Sequence, residues 1–308
     1  MGLLPSSIKF LILFHQKYIF EGPVLTLGNQ EVWATYDDLK KYFQEMKTDY
    51  IDAKEIKFHH SGLFRKDPTL ARISEKFVHA RVFFEMLGIS EYYDVDKYDT
   101  DDAIYEFDLN FPVPAQLHEK FSLIIDGGTA EHIFDIRQVM ENILVMLRPG
   151  GCIVHISSYN MDHGFYAISP CFYFDFYKVN GFTDFSCYIL QINPKNLLAN
   201  YDQRNAFFEY SYGMSLENLI DSDKHILVFF VAKRSQSKTS LKIPTQSIFD
   251  QSEDSFSCTP PRDRKYTFDS VVPAILKPLL QPFRPTIRYI YTLVYHARYH
   301  RSHKKGKI

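Results

Sequence analysis

The stretch that most constrains this chain runs from Phe121 to Tyr166. It opens on Phe121-Ser122-Leu123-Ile124-Ile125, an apolar run that ends in Asp126-Gly127-Gly128. A short apolar run bounded by turn residues suits a strand buried on both faces. Apolar residues then recur at Ile136, Val139, Met140, Ile143, Leu144 and Leu147, which is helical spacing. Arg148-Pro149-Gly150-Gly151 stops that helix, because proline cannot continue it and glycine accepts a left-handed cap. Cys152 to Ile156 reads as the next buried strand. Strand, helix and strand in this order predict a parallel crossover unit. Polar residues gather just past both strand ends, where open α/β sheets place their ligands.

The rest of the chain extends this pattern. Ser6 or Ser7 can cap a first helix reaching Phe20, and Val24 to Gly28 reads as a short buried strand ending on a glycine. Helices are expected over Tyr36 to Met46 and over about Pro68 to Leu87, the second turning Phe77, Val82, Phe83 and Leu87 inward. Short strands follow at Tyr92 to Asp94 and Ile104 to Asp108. After the central unit come a helix near Cys171 to Asn180 and strands over Phe185 to Ile192 and Ile226 to Val231. The expected fold class is α/β: a Rossmann-like, seven-stranded, mostly parallel sheet flanked by helices, with a basic C-terminal extension. The divisions are residues 1–234 as the Rossmann domain, with an insert between its first two strands, 235–264 as a polar linker, and 265–308 as a basic, helical tail.

The formal net charge of −2 conceals an uneven distribution, since nothing from Arg284 onward is Asp or Glu. The body is therefore acidic, which argues against general nucleic-acid binding. Cys152, Cys171, Cys187 and Cys258 have no metal-ligand spacing and read as reduced thiols of a cytoplasmic protein. No apolar run approaches the roughly 20 residues of a membrane span. The tail, with His296, His300 and His303 among Arg, Lys and Tyr, could touch an anionic membrane peripherally or dock on an acidic partner.

The run Leu123-Ile124-Ile125-Asp126 with Glu131-His132, then Leu147 to Gly151, resembles the fourth-strand motif and the R-P-G-G turn of class I S-adenosylmethionine-dependent methyltransferases. The fuller pattern D-G-G-T-A-E-H, H-I-S-S-Y-N and D-H-G-F-Y-A-I-S-P is similar to a narrower, bacterial-type subgroup of methyltransferase-like proteins. One departure matters. The family ends its first strand with an acid and a glycine-rich loop; here the strand carries Thr26 in place of the acid and keeps Gly28 alone, followed by Asn29-Gln30. Glycine is needed where backbone approaches a ligand closely. The long segment between Gly28 and Asp94 could rebuild the cofactor floor, cover it, or replace it.

The resemblance implies S-adenosylmethionine as cofactor, held by Gly28, Asp94, Asp108, Asp126, Gly127, Gly128 and Thr129. Asp94 would accept the ribose hydroxyls, with Asp96 close enough to share the role, and Asp108 would meet the adenine. Each is equally ordinary as a turn residue, and Thr129 as a helix cap. His132 is the first candidate general base and His163 the second, because imidazole titrates near neutrality. Glu131, Asn160 and Tyr166 are the candidate substrate contacts. His155, inside an apolar strand, reads as a core histidine. A metal held by Asp126, His132, Asp162 and His163 is conceivable, but no short ligand spacing supports it, and none is expected. The expected function is methyl transfer to an oxygen or nitrogen of a small polar acceptor, a sugar or glycan precursor first. The alternative is a binding or scaffold protein without turnover.

Overall fold

The computed structural model describes residues 2–58, 74–98, 104–160, 163–192, 206–214, 225–236, 241–249 and 304–307. In chain order the elements are β1 (Gly2–Leu3), α1 (Pro5–Tyr18), β2 (Val24–Leu27), β3 (Glu31–Val32), α2 (Tyr36–Glu45), α3 (Ala80–Met86), β4 (Tyr92–Asp96) and β5 (Tyr105–Glu106). Then come β6 (Phe121–Asp126), α4 (Ile136–Met146), β7 (Leu147–Ser158), α5 (Pro170–Val179), β8 (Phe182–Ile192), β9 (Ala206–Glu209), β10 (His225–Arg234) and β11 (Lys304–Lys307).

One sheet of nine strands organises the molecule, in the order β11-β9-β8-β10-β7-β6-β2-β4-β5. From β5 to β7 every pairing is parallel. β10 runs antiparallel to both β7 and β8. The expected seven strands are therefore β2, β4, β5, β6, β7, β8 and β10, with only β10 reversed. The sheet is Rossmann-like, mixed and mostly parallel. β9 and β11 extend one edge antiparallel, and the two-stranded pair of β1 and β3 stands apart from it.

Strand alternation sends residues to two cores. On one face Val24, Leu123, Ile125, Val154 and Phe229 pack with α1, α2 and α3. On the other, Leu25, Leu27, Ile124, Ile153 and Phe230 pack with α4 and α5. All six residues of β6 are buried, as expected of a central strand covered on both faces. Phe10 of α1 stacks on Phe229 of β10 with centroids 4.5 Å apart, which fixes the first helix over the antiparallel half.

Several expected boundaries move. Leu4 caps α1 and Pro5 opens it, while Ser6 and Ser7 lie buried inside the helix. Pro fits there because its missing N–H is one the first turn leaves unbonded anyway. α2 starts on a capping box between Thr35 and Asp38. The helix expected over Pro68 to Leu87 is broken: Glu75 to His79 are turn and extended backbone, Val78 and His79 bridge Phe58 and Glu31, and α3 starts only at Ala80, while Phe77, Val82, Phe83 and Leu87 are buried as expected. Part of the expected linker is bound: Asn180 at the end of α5 exchanges hydrogen bonds with Lys242, and Ser247 bonds the Asp175 carboxylate. Lys304–Lys307 forms a strand in place of tail helix, and the helix expected over Thr286 to Arg301 lies outside the described residues.

Candidate functional site

The carboxyl ends of β2 and β6 adjoin where the strand order reverses, which is where open α/β sheets carry ligands. Here the chain fills that crevice itself. Thr129 Oγ1 donates to the Leu27 carbonyl at 2.5 Å, and a Cβ on Gly28 would stand 2.7 Å from that hydroxyl oxygen. Gln30 is buried and donates through Nε2 to the Leu27 carbonyl at 2.7 Å. Its Oε1 ends over Gly127, where a Cβ would meet it at 2.4 Å, and has no hydrogen-bond partner. Such a buried acceptor costs about 1–3 kcal/mol while unfilled.

Asp126 is also committed to its own surroundings. Its Oδ1 accepts from Thr129 N at 2.9 Å and Ala130 N at 3.1 Å, which starts the 3-10 turn of Ala130–His132. Its Oδ2 accepts from His155 Nδ1 at 2.7 Å, and His155 Nε2 receives the Tyr177 hydroxyl at 2.6 Å. Tyr173 stacks on the His155 ring at 4.3 Å. Burial drives the Tyr177 hydroxyl well above its ordinary pKa, so it stays a donor. His155 is thus a core histidine, as expected, with both nitrogens bonded. Asp126 and Thr129, which the resemblance assigns to the cofactor, hold a turn to a strand.

The two other candidate acids are placed differently from the expectation. Asp94 lies inside β4, fully buried, and its Oδ1 accepts from Ile104 N at 2.6 Å. Asp96 ends β4, and its carboxylate accepts from Asn29 N at 3.1 Å and Tyr98 N at 3.2 Å. It is the acid beside the Gly28 loop. Asp108 lies two residues past β5, holds Asn110 N and Nδ2, and pairs with Lys97 at 3.0 Å. Those bonds to Asn110, and then Lys97, keep its carboxyl below the ordinary aspartate pKa.

Next to the filled crevice lies an open cleft of about 380 Å³, walled by Trp33, Gly127, Gly128, Glu131, Asn160 and His163, among others. Its size suits a small ligand. The loops after β6 and β7 are stitched together at its mouth. The Glu131 carbonyl accepts from Phe165 N at 2.7 Å and Tyr166 N at 3.3 Å. Gly164 has φ +78°, and a Cβ there would meet the Glu131 carbonyl oxygen at 2.7 Å. Only glycine allows both that conformation and that approach. The result is that His132 and His163 meet, with ring centroids 4.9 Å apart at 76°.

The Glu131 side chain is fully buried at the cleft wall. Its Oε1 accepts from Ser158 N at 3.1 Å, and its Oε2 has no partner. Burial, and then the charge of Asp126, push its pKa up to about 8. His132 is exposed on one side, yet the covering of its other side, and then His163, lower its pKa. It is therefore neutral and able to accept a proton at neutral pH. One carboxylate oxygen and one nitrogen from each ring lie within 4.8 Å of one another. Asp162, the other candidate ligand, lies outside the described residues. Asn160 lines the cleft and links β7 to β10 through His225 and Ile226 N. Tyr166 donates its hydroxyl to the Phe134 carbonyl at 2.6 Å and so braces the loop. Sequence reasoning missed Gln30 and Trp33, because only the path of the chain after Gly28 brings them here.

No protein-family model matches the chain, and no curated protein matches it in sequence. Among solved structures, a phosphoethanolamine N-methyltransferase from Haemonchus contortus is 12% identical over 74% of this chain and 52% of its own, with a TM-score of 0.37. The 1,6-didemethyltoxoflavin-N1-methyltransferase of Burkholderia thailandensis is 11% identical over 75% of this chain and 78% of its own, at 0.36. An S-adenosylmethionine-dependent methyltransferase of Thermotoga maritima is 11% identical over 75% and 90%, at 0.35. Likenesses of this size say nothing about residues or substrates, and the fold rests on the strand order itself.

Proposed function

We propose that this protein transfers a methyl group from S-adenosylmethionine to an oxygen or nitrogen of a small polar acceptor, a sugar or glycan precursor first. The observation that carries the reading is the meeting of exposed His132 with His163 and Glu131, the latter two lining one open cleft past the ends of β6 and β7. The residues also fit the methionine end of the donor. Gln30 Oε1, buried and without a partner over Gly127, asks for an N–H donor such as an α-ammonium group. Asp96 would take the ribose, since each carboxylate oxygen already holding a backbone N–H has a lone pair left.

S-adenosylmethionine, when bound, supplies a methyl group already activated by its sulfonium. The protein's own share is to position the acceptor and remove one proton. Neutral His132 takes that proton at a ring nitrogen, and His163 beside it holds the acceptor. Trp33 and Ile156 wall the cleft against water.

A second reading follows from the Gly28 loop. Thr129 and Gln30 occupy the space over both glycines, as expected of a scaffold without a donor. Calorimetric titration of the full chain with S-adenosylmethionine and S-adenosylhomocysteine separates the two. Methyl transfer requires micromolar binding, weakened about 10-fold or more by Asp96→Ala and by Gln30→Ala, the range for a hydrogen bond to a charged group. Absence of binding at millimolar ligand leaves the scaffold reading standing.

A further inference from the structure

We propose that Glu131, His132 and His163 form a binding site for a divalent first-row transition cation of the zinc or manganese kind. The inference rests on the cleft assigned above to the acceptor, and with the ion bound it reassigns two roles there: His132 and His163 become ligands, and the cation in their place holds the acceptor.

Three observations converge. First, the donor set is one carboxylate and two imidazoles, with one ligand atom from each residue within 4.8 Å of the others. Small rotations of two rings at the mouth close that spacing onto one ion at ordinary bond lengths of about 2.0–2.2 Å. Second, Glu131 is fully buried, faces the cleft and leaves Oε2 without a hydrogen-bond partner. A buried acceptor of this kind needs a donor or a cation to offset its lost hydration. Third, the backbone enforces the meeting: the Glu131 carbonyl binds Phe165 N and Tyr166 N, and Gly164 packs against it with positive φ. The loop carrying His163 is thereby fixed to the loop carrying Glu131 and His132.

The ligand types choose the ion. Magnesium and calcium prefer all-oxygen shells, whereas imidazole suits zinc and its first-row neighbours. Three protein ligands leave at least one position open toward the cleft, as in zinc sites that act on a bound ligand. An acceptor hydroxyl in that position would be held and its proton made easier to remove. No spacing rule reveals the site in the sequence, because its ligands come from two loops separated by a helix and a strand.

The test is calorimetric titration of the metal-free full chain with Zn²⁺ alone, then with Mn²⁺ and Mg²⁺. One zinc ion per chain is expected at micromolar affinity or better, with manganese weaker and magnesium silent at the same concentration. Glu131→Gln, His132→Ala and His163→Ala should each weaken zinc at least about 10-fold, the low end for disturbing a metal's shell, with circular dichroism confirming that each is folded. The variant lacking His296, His300 and His303 should bind as the full chain does. Zinc binding that survives all three cleft variants, or no binding at about 100 μM, would overturn the proposal. Since neither methyl donor nor acceptor is present, failure here leaves methyl transfer untouched. Zinc binding without any S-adenosylmethionine binding would instead keep the metal site and remove the methyltransferase reading.

Discussion

Two regions at the same end of the sheet solve opposite problems. At the ends of β2 and β6, polar groups face inward and satisfy one another: Asp126 holds two backbone N–H groups and His155, and Thr129 holds the Leu27 carbonyl. At the loops after β6 and β7, polar groups converge and one of them, Glu131 Oε2, stays unsatisfied beside the rings of His132 and His163. The first region has the composition expected of a ligand crevice and behaves as a strut. The second keeps buried polar capacity facing a cleft. A polar residue after a parallel strand is therefore weak evidence of binding until its own hydrogen bonds are counted. Gln30 lies at the border, with its amide nitrogen used by the strut and its oxygen left over.

The largest expected effect breaks the strut. Asp126→Ala removes the acceptor of two backbone N–H groups and leaves His155 without its carboxylate, all in a fully buried setting. Loss of about 3–5 kcal/mol in chemical denaturation is expected, the range for removing one partner of a buried pair. A variant that keeps its stability but loses ligand binding would place Asp126 in the site after all and undo the contrast.

How far each region was legible follows the same division. The R-P-G-G expected as a turn lies inside β7, and the helix ends before it at Met146, but the crossover of β6, α4 and β7 could be read from apolar period, because that signal is local. So could the His132 and His163 candidates, since both follow strand ends. Their meeting could not, because it depends on Gly164 closing onto the Glu131 carbonyl across an intervening helix and strand. Asp94 and Asp96 share one face of β4, and only the pairing of Gly28 N with the Val95 carbonyl shows that Asp96 reaches the loop. β9 and β11 are four residues each, too short for period alone to reveal.

A smaller effect acts on the stitching. Gly164→Ala places a methyl against the Glu131 carbonyl and forces a non-glycine residue to positive φ. The backbone term alone is about 1–2 kcal/mol. The loop carrying His163 should swing away, so zinc affinity should fall about 10-fold or more while the strut, read by near-ultraviolet circular dichroism of the Tyr173 and Tyr177 pair, stays intact. An unchanged affinity would mean the loops find each other without the glycine.

The effect smallest over any one pH step is a slope. Burial and Asp126 raise the Glu131 pKa to about 8, whereas in the unfolded chain it titrates near the ordinary 4.5. Between those values the metal-free native state holds a proton that the unfolded state has released. Stability should therefore be full below the unfolded value, decline as pH rises toward 8, and level off above it. The decline from this one group cannot exceed about 1.4 kcal/mol per pH unit. In Glu131→Gln this part of the decline should vanish, and denaturation curves from pH 5 to 9 with a chelator present measure it. Saturating zinc should flatten the wild-type profile in the same window, because a bound cation removes the advantage of the protonated form. A slope that persists in the variant would assign the titration to another group than Glu131.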